Sequence, residues 1–353
     1  MENHIINNNN SLINQKIIHC KKIYLKEIDF VRASCSIGIL IFHYFCHSRG
    51  SFKFLFNTAN SGWGFMFVTT FFAISGTVLY YNYPTIISIK KFYFKRWKSI
   101  FPSYYICFLY FYLSNVFKYK KIFYRLHWSR LIFTVFGMDG YLLYRFETYY
   151  LIGEWFIGAI IIIYALYPIL LMLTNKNFLV LHLFLCIGYL LMYKTKFFVI
   201  QRNRNIITCI NSFVFGISAI KLKKFFFSNK LVFIISLAQL IFLCNFNIGS
   251  CILIHQIQGF SLFMVLLQIG RFIMNTRLSK IFQVISNLSY FIFLVHHQII
   301  IDIFKLYYPS EWYFHLLLIG LIIIFSIVCS KIFSIIVTNF IKSFLFQKIE
   351  SLF

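Results

Sequence analysis

The sequence predicts an all-α, polytopic membrane protein with about ten transmembrane helices, and three observations predict it. Hydrophobic residues make up 60% of the 353 positions, charged residues only 12%, and mean hydropathy is +0.77, outside the range of soluble globular domains. The apolar residues fall into runs close to the length that crosses a hydrocarbon core, about 17 to 25 residues. Those runs lack the polar–apolar alternation of a transmembrane barrel, and the chain has only four prolines, so helices that satisfy their own backbone are the expected structure.

In order, the runs lie at 28–47, 62–82, 99–117, 151–174, 178–193, 206–220, 230–248, 251–270, 281–304 and 314–336. The first carries charge at its start, the second contains Ser75 and Gly76 as a close-packing pair, and the third follows a basic stretch. The fourth begins beside Glu154 and Trp155, the fifth and sixth are short, and the ninth contains adjacent histidines. Residues 1–24 are rich in Asn and have no small-residue cleavage site after an apolar core, which predicts a flexible cytoplasmic tail and not a signal peptide. Residues 25–345 read as one membrane domain, and 346–353 as a cytoplasmic end.

With the amino terminus inside, 20 Lys and Arg fall on the inner side and 13 on the outer, which predicts a multi-pass protein of the cell membrane with both termini cytoplasmic. The loop 118–150 carries six basic residues yet falls outside in this scheme. Its "LIFTVFG" segment predicts re-entry or an interfacial position. The net charge of +25 arises from 34 basic residues in short clusters between apolar runs, the pattern of topology signals, so nucleic acid is not an expected partner. Nine cysteines, an odd number without a CxxC pair, indicate neither a disulfide framework nor a zinc site. No metal and no bound cofactor are expected.

The stretch "LKEIDFVRASCSIGILIFHYFCH" at 25–47 places Asp29, Arg32 and His43 on one helix. Eleven residues turn an α-helix through three turns plus roughly 20°, so Arg32 and His43 project from nearly the same face about 16 Å apart along the axis. Asp29, three residues before Arg32, is placed to pair with it. Charged groups in membrane helices normally face the bundle interior or water, whereas an interfacial anchor is the plainer reading of Asp29 and Arg32.

"IDFVRASCSIGILIFHY" resembles the first helix of the acyltransferase-3 family of integral membrane O-acyltransferases, whose hallmark is an Arg, ten residues, then a His. Further segments follow in the family's order: "FFAISGTVLYY" at 71–81, "KRWKSIFPSYY" at 95–105, "GEWFIGAIIIIYALYPIL" at 153–170 and "SNLSYFIFLVHHQII" at 286–300. The resemblance departs at Ser99, where many relatives have a second Arg, and at Gln298, where Pro is frequent; His297 is an extra histidine. The chain also reads as the stand-alone membrane unit, without a fused hydrolase-like domain.

The resemblance implies transfer of an acyl group, commonly acetyl, from acyl-CoA to a hydroxyl of a cell-surface glycan such as O-antigen, capsule or exopolysaccharide. It implies His43 as the catalytic residue, Arg32, Lys95, Arg96 and Lys98 as cations for the donor, and Asp29, Glu154 and His296 in support. A neutral His43 suits proton removal from the acceptor hydroxyl, or formation of an acyl-histidine. His47 and His255 are expected to be dispensable, and His182, like His255, reads as an isolated histidine that is satisfied or interfacial. A transporter of lipid-linked oligosaccharide and a glycan polymerase are the alternatives; the first is disfavoured by the lack of visible repeats, the second by the shortness of the outer loops.

Overall fold

All regular elements among the described residues are helices. The computed structural model describes residues 25–48, 63–153, 155–194, 200–246, 248, 252–343 and 346–348. In chain order the helices are α1 (Lys26–His47), α2 (Trp63–Asn82), α3 (Ile89–Tyr119), α4 (Leu131–Val135), α5 (Asp139–Leu142), α6 (Trp155–Lys176), α7 (Phe178–Lys194), α8 (Ile206–Lys221), α9 (Lys223–Ser228), α10 (Lys230–Asn245), α11 (Ile252–Ile273), α12 (Ser279–Leu306) and α13 (Trp312–Lys342). Seven of these (α1, α2, α3, α6, α11, α12 and α13) are long and apolar enough to cross a membrane, and α7, α8 and α10 are shorter apolar helices. They coincide in order with the ten apolar runs, so the chain is an all-α polytopic membrane protein.

Helix ends depart from the runs where polar residues continue the helix. The third run starts at 99, yet α3 begins ten residues earlier because the Ser88 hydroxyl accepts from the Lys91 amide at 3.3 Å and caps it. The resulting helix of 31 residues is about 46 Å long. That exceeds a hydrocarbon core of about 30 Å, so its basic first turns extend past the apolar layer. Pro102 lies inside α3 without ending it.

The segment after α3 folds back onto the bundle. A short 3₁₀ turn, Trp128–Arg130, leads into α4 and α5. The Tyr105 hydroxyl donates to the Val135 carbonyl at 2.5 Å, and the Tyr104 hydroxyl donates to Asp139 Oδ2 at 2.9 Å. Burial pushes the Asp139 carboxyl up to about 6. Helix α5 packs on α6, where Tyr141 sits against Gly158.

Helix α2 is the hub, packed against α8, α11 and α1. Without a strong hydrophobic drive between helices in lipid, close backbone approach and interhelical hydrogen bonds hold such contacts. Both operate here. A Cβ on Gly76 would strike the Phe213 carbonyl oxygen, and one on Gly216 would strike the Ala73 carbonyl oxygen. The Thr77 hydroxyl donates to Gly216 O at 2.9 Å, and the Thr70 hydroxyl to Gly259 O at 3.0 Å. The close-packing role read for Gly76 therefore belongs to its crossing with α8, whereas Ser75 faces a cavity.

Helix α1 lies against α12, α11, α2 and α13, with Val31, Cys35 and Leu40 wholly buried. It runs parallel to α12: Phe30 meets Phe282 at 4.6 Å between centroids near the start of both, and His43 meets His297 at 3.9 Å further along.

Gly216→Leu is expected to abolish accumulation of the protein in membranes, because backbone of α2 occupies the volume a side chain needs. Gly320 of α13 provides a matched control, since no atom lies within 4 Å of where its Cβ would stand. Gly320→Leu should keep at least about half the wild-type level, as expected of a substitution that meets no packed neighbour. Quantitative immunoblotting of washed membranes checks both.

Candidate active site

The first turns of α1, α3 and α12 converge at one end of the bundle. Asp29 is 3% exposed, and Ser286 of α12 donates to its Oδ1 at 2.7 Å. The expected pairing of Asp29 with Arg32 takes a different form. Among the described residues no direct ion pair joins the two, because the carboxylate turns to the Ser286 hydroxyl while the guanidinium faces a cavity. Arg32 retains the nearby negative charge without being tied to it.

That cavity has a volume of about 380 Å³. Arg32 of α1 and Arg96 of α3 supply its cations; Ser75, Ser99, Asn287 and Tyr290 add polar groups. A second cavity of about 250 Å³ adjoins it, sharing Arg32, Val78, Leu79 and Arg96 and including Asp29 in its wall. The two arginines thus stand where both cavities meet.

Aromatic rings hold Arg96 in place. Its guanidinium lies 5.2 Å from the Tyr83 ring centroid, 5.7 Å from Tyr164 and 6.0 Å from Phe92, each a cation–π distance. Its Nε is buried with no hydrogen-bond acceptor among the described residues. A buried donor left in that state is costly unless an acceptor arrives. A caged cation with an unanswered donor beside a cavity is suited to an anion.

The remaining predicted cations are placed differently. Lys95 is exposed, 6.0 Å from the Tyr83 centroid, and Lys98 is half-buried, 5.3 Å from the Phe346 centroid; neither lines the cavity. Ser99 does line it, so this departure from the resembled pattern faces the site without a charge. Glu154 lies outside the described residues.

Away from the arginines the walls become apolar, with Val68, Phe71, Phe156, Ile39 and Phe293. One helical turn beyond Ile39 is His43, and three residues beyond Phe293 is His296. His43 is half-buried and His296 is buried. The His43 ring centroid lies 5.1 Å from that of His296 and 3.9 Å from that of His297. The two predicted histidines are therefore brought together, just past the apolar end of the cavity. Trp155 is buried against Phe72 with Arg204 over its ring.

Three further histidines stand at this end. His47 Nε2 is 3.4 Å from His297 Nδ1, although His47 was expected to be dispensable. His315 of α13 is buried, its Nδ1 2.7 Å from the Tyr44 hydroxyl. His297, the extra histidine relative to the resembled pattern, has its ring centroid 3.9 Å from that of His43. The one hint for His47 is its place a single helical turn after His43 on α1, and no local signal links His315 to either.

Chemically, the arrangement offers two cations at one end of an apolar-walled cavity; no described histidine lines that cavity, and the imidazoles lie further along α1 and α12 than its last lining residues there, Ile39 and Phe293. A family model described as an acyltransferase domain, of acyltransferase-3 type, matches residues 25–334. No curated protein and no solved structure matches the chain.

Ser286→Ala removes the donor to a buried carboxylate and is expected to destabilise the protein by about 1–3 kcal/mol, whereas Ser286→Thr retains the hydroxyl. Thermal unfolding of the purified protein should therefore show a lowered midpoint for the alanine variant alone.

Proposed function

The chain belongs to the acyltransferase-3 family and is a membrane acyltransferase, and from that premise we propose that it moves an acetyl group from acetyl-CoA to a hydroxyl of a cell-surface glycan. The observation that carries this reading is the cavity with Arg32 and Arg96 at one end and apolar walls leading towards His43 and His296. An acyl-CoA is polyanionic at one end and has a slender, largely apolar arm carrying the thioester at the other. A cavity of about 380 Å³ suits the arm; the nucleotide stays at the mouth, where Lys95 and Lys98 lie beyond the arginine pair.

In this scheme Arg32 and Arg96 grip the diphosphate through paired N–H groups, with the Arg96 Nε finding the acceptor it lacks. The arm lies along Phe71, Phe156 and Phe293 and brings the thioester to His43. The acceptor reaches His43 from the opposite end of the bundle. Neutral His43 takes the proton of the acceptor hydroxyl as the oxygen bonds to the thioester carbonyl carbon; the carbon–sulfur bond then breaks, and the CoA sulfur leaves and acquires a proton. Transfer through an acyl-histidine uses the same lone pair and differs in a transient bond from His43 to the acyl carbon. With both termini cytoplasmic, the arginine end meets the cytoplasmic donor pool, and the acceptor side faces outward.

Membranes from expressing cells, given radiolabelled acetyl-CoA and scored by label and mass in surface polysaccharide, test the assignment. His43→Ala should lower transfer per inserted protein by about 10²- to 10⁴-fold. Arg32→Lys should raise the apparent KM for acetyl-CoA while leaving protein level intact, since Lys keeps charge but loses the planar fork. Equal transfer by His43→Ala and wild type contradicts the catalytic role, and absence of any label transfer by wild type favours a carrier of lipid-linked cargo.

A further inference from the structure

Three of the ten histidines present one ring nitrogen each within 4.8 Å of the others: His43, His296 and His297. His43 is half-buried on α1; His296 is buried and His297 half-buried on α12. Because α1 and α12 are packed along their length and pinned at the other end by Ser286 and Asp29, the three rings are held in register by the fold.

The tautomer of His296 follows from its neighbours. Its Nδ1 lies 3.0 Å from Ile292 O and 2.9 Å from Phe293 O. Carbonyl oxygens only accept, so Nδ1 carries the hydrogen and, in the neutral ring, the lone pair sits on buried Nε2. A ligating histidine that donates its other N–H to a backbone carbonyl is the usual supporting arrangement of a metal site. His297 Nδ1 lies 3.4 Å from His47 Nε2; in the tautomer with the hydrogen on His297 Nδ1, that N–H donates to His47 and the lone pair sits on buried Nε2.

We propose that His43, His296 and His297 form a three-imidazole site for a borderline divalent transition-metal ion, with Zn²⁺ the best match, and that occupancy shuts off acyl transfer. Imidazole donors suit Zn²⁺ and its first-row neighbours and are poor ligands for Mg²⁺ or Ca²⁺. Zn–N bonds of about 2.0–2.1 Å place tetrahedral ligand atoms about 3.4 Å apart, so atoms within 4.8 Å of one another draw together by up to about 1.4 Å on binding. Three protein ligands leave one position for water. The inhibitory half of the inference rests on His43 being the base or nucleophile described above: a lone pair bound to Zn²⁺ accepts no proton.

The test uses the full chain, purified without a polyhistidine tag and reconstituted in nanodiscs. Calorimetric titration with Zn²⁺ should show one ion bound per chain, and His43→Gln, His296→Gln and His297→Gln should each weaken binding at least about ten-fold. His255→Gln, in a ring stacked on Phe65, should not. X-ray absorption of the Zn²⁺-loaded wild type should report three imidazole nitrogens, a readout that stands even if a variant fails to fold. No saturable binding, or a first shell without three imidazoles, overturns the site. In the transfer assay Zn²⁺ should inhibit and a chelator should restore activity. Binding at the three histidines without inhibition overturns the regulatory half and the role of His43 while leaving the site; transfer that requires His43 in a chain that binds no Zn²⁺ overturns the site and leaves the enzymatic reading.

Discussion

The hydrogen bond from Ser286 to the buried carboxylate of Asp29, 2.7 Å long, is the interaction on which the placement of the rest depends. It joins α1 to α12 near their starts, where Phe30 also meets Phe282. Two parallel helices fixed at one end keep a constant register along their length, so a second meeting point follows: His43 against His296 and His297. The arginine end and the histidine end are thus consequences of one pairing. Leaving Asp29 to Ser286 also lets Arg32 face the cavity instead of being consumed by an internal ion pair.

Holding cations within an apolar bundle needs compensation, because a charge withdrawn from water is costly. The chain meets that need differently at its two arginines. Arg32 has the charge of Asp29 close by, whereas Arg96 is surrounded by Tyr83, Phe92 and Tyr164. Aromatic faces stabilise a guanidinium without occupying its N–H donors in the plane of the group. Such a cage orients the fork and leaves it able to bind an anion.

The architecture was legible because the bilayer imposes a length rule that apolar runs obey, so the ten runs and ten apolar helices coincide. Their ends were less legible, as α3 shows: Ser88 caps a helix whose first turns are basic, and no hydrophobic run marks that start. Within the site, Arg32 and His43 were visible because a single helix sets their angular relation. The hydrogen-bond partner of Asp29 was not legible for the complementary reason. Spacing of three on a helix suggested Arg32, but the hydroxyl that answers it comes from α12, 257 positions away. Lys95 and Lys98 were grouped with Arg96 through the resembled basic stretch, yet successive helical residues point about 100° apart, and of the three only Arg96 enters the cavity wall. The gathering of His47, His297 and His315 near His43 depends on packing of three helices and left little local trace.

The central claim is that one passage joins the arginine pair to the histidine cluster and holds an acyl-CoA along it. A cryo-electron microscopy structure of the full chain with a non-transferable thioether analogue of acetyl-CoA tests it most directly. The account predicts the diphosphate within hydrogen-bond distance of Arg32 and Arg96, the arm against Phe71 and Phe293, and the acyl carbon beside His43. An analogue whose diphosphate lies away from both Arg32 and Arg96, or whose acyl group is turned away from α1, would contradict it.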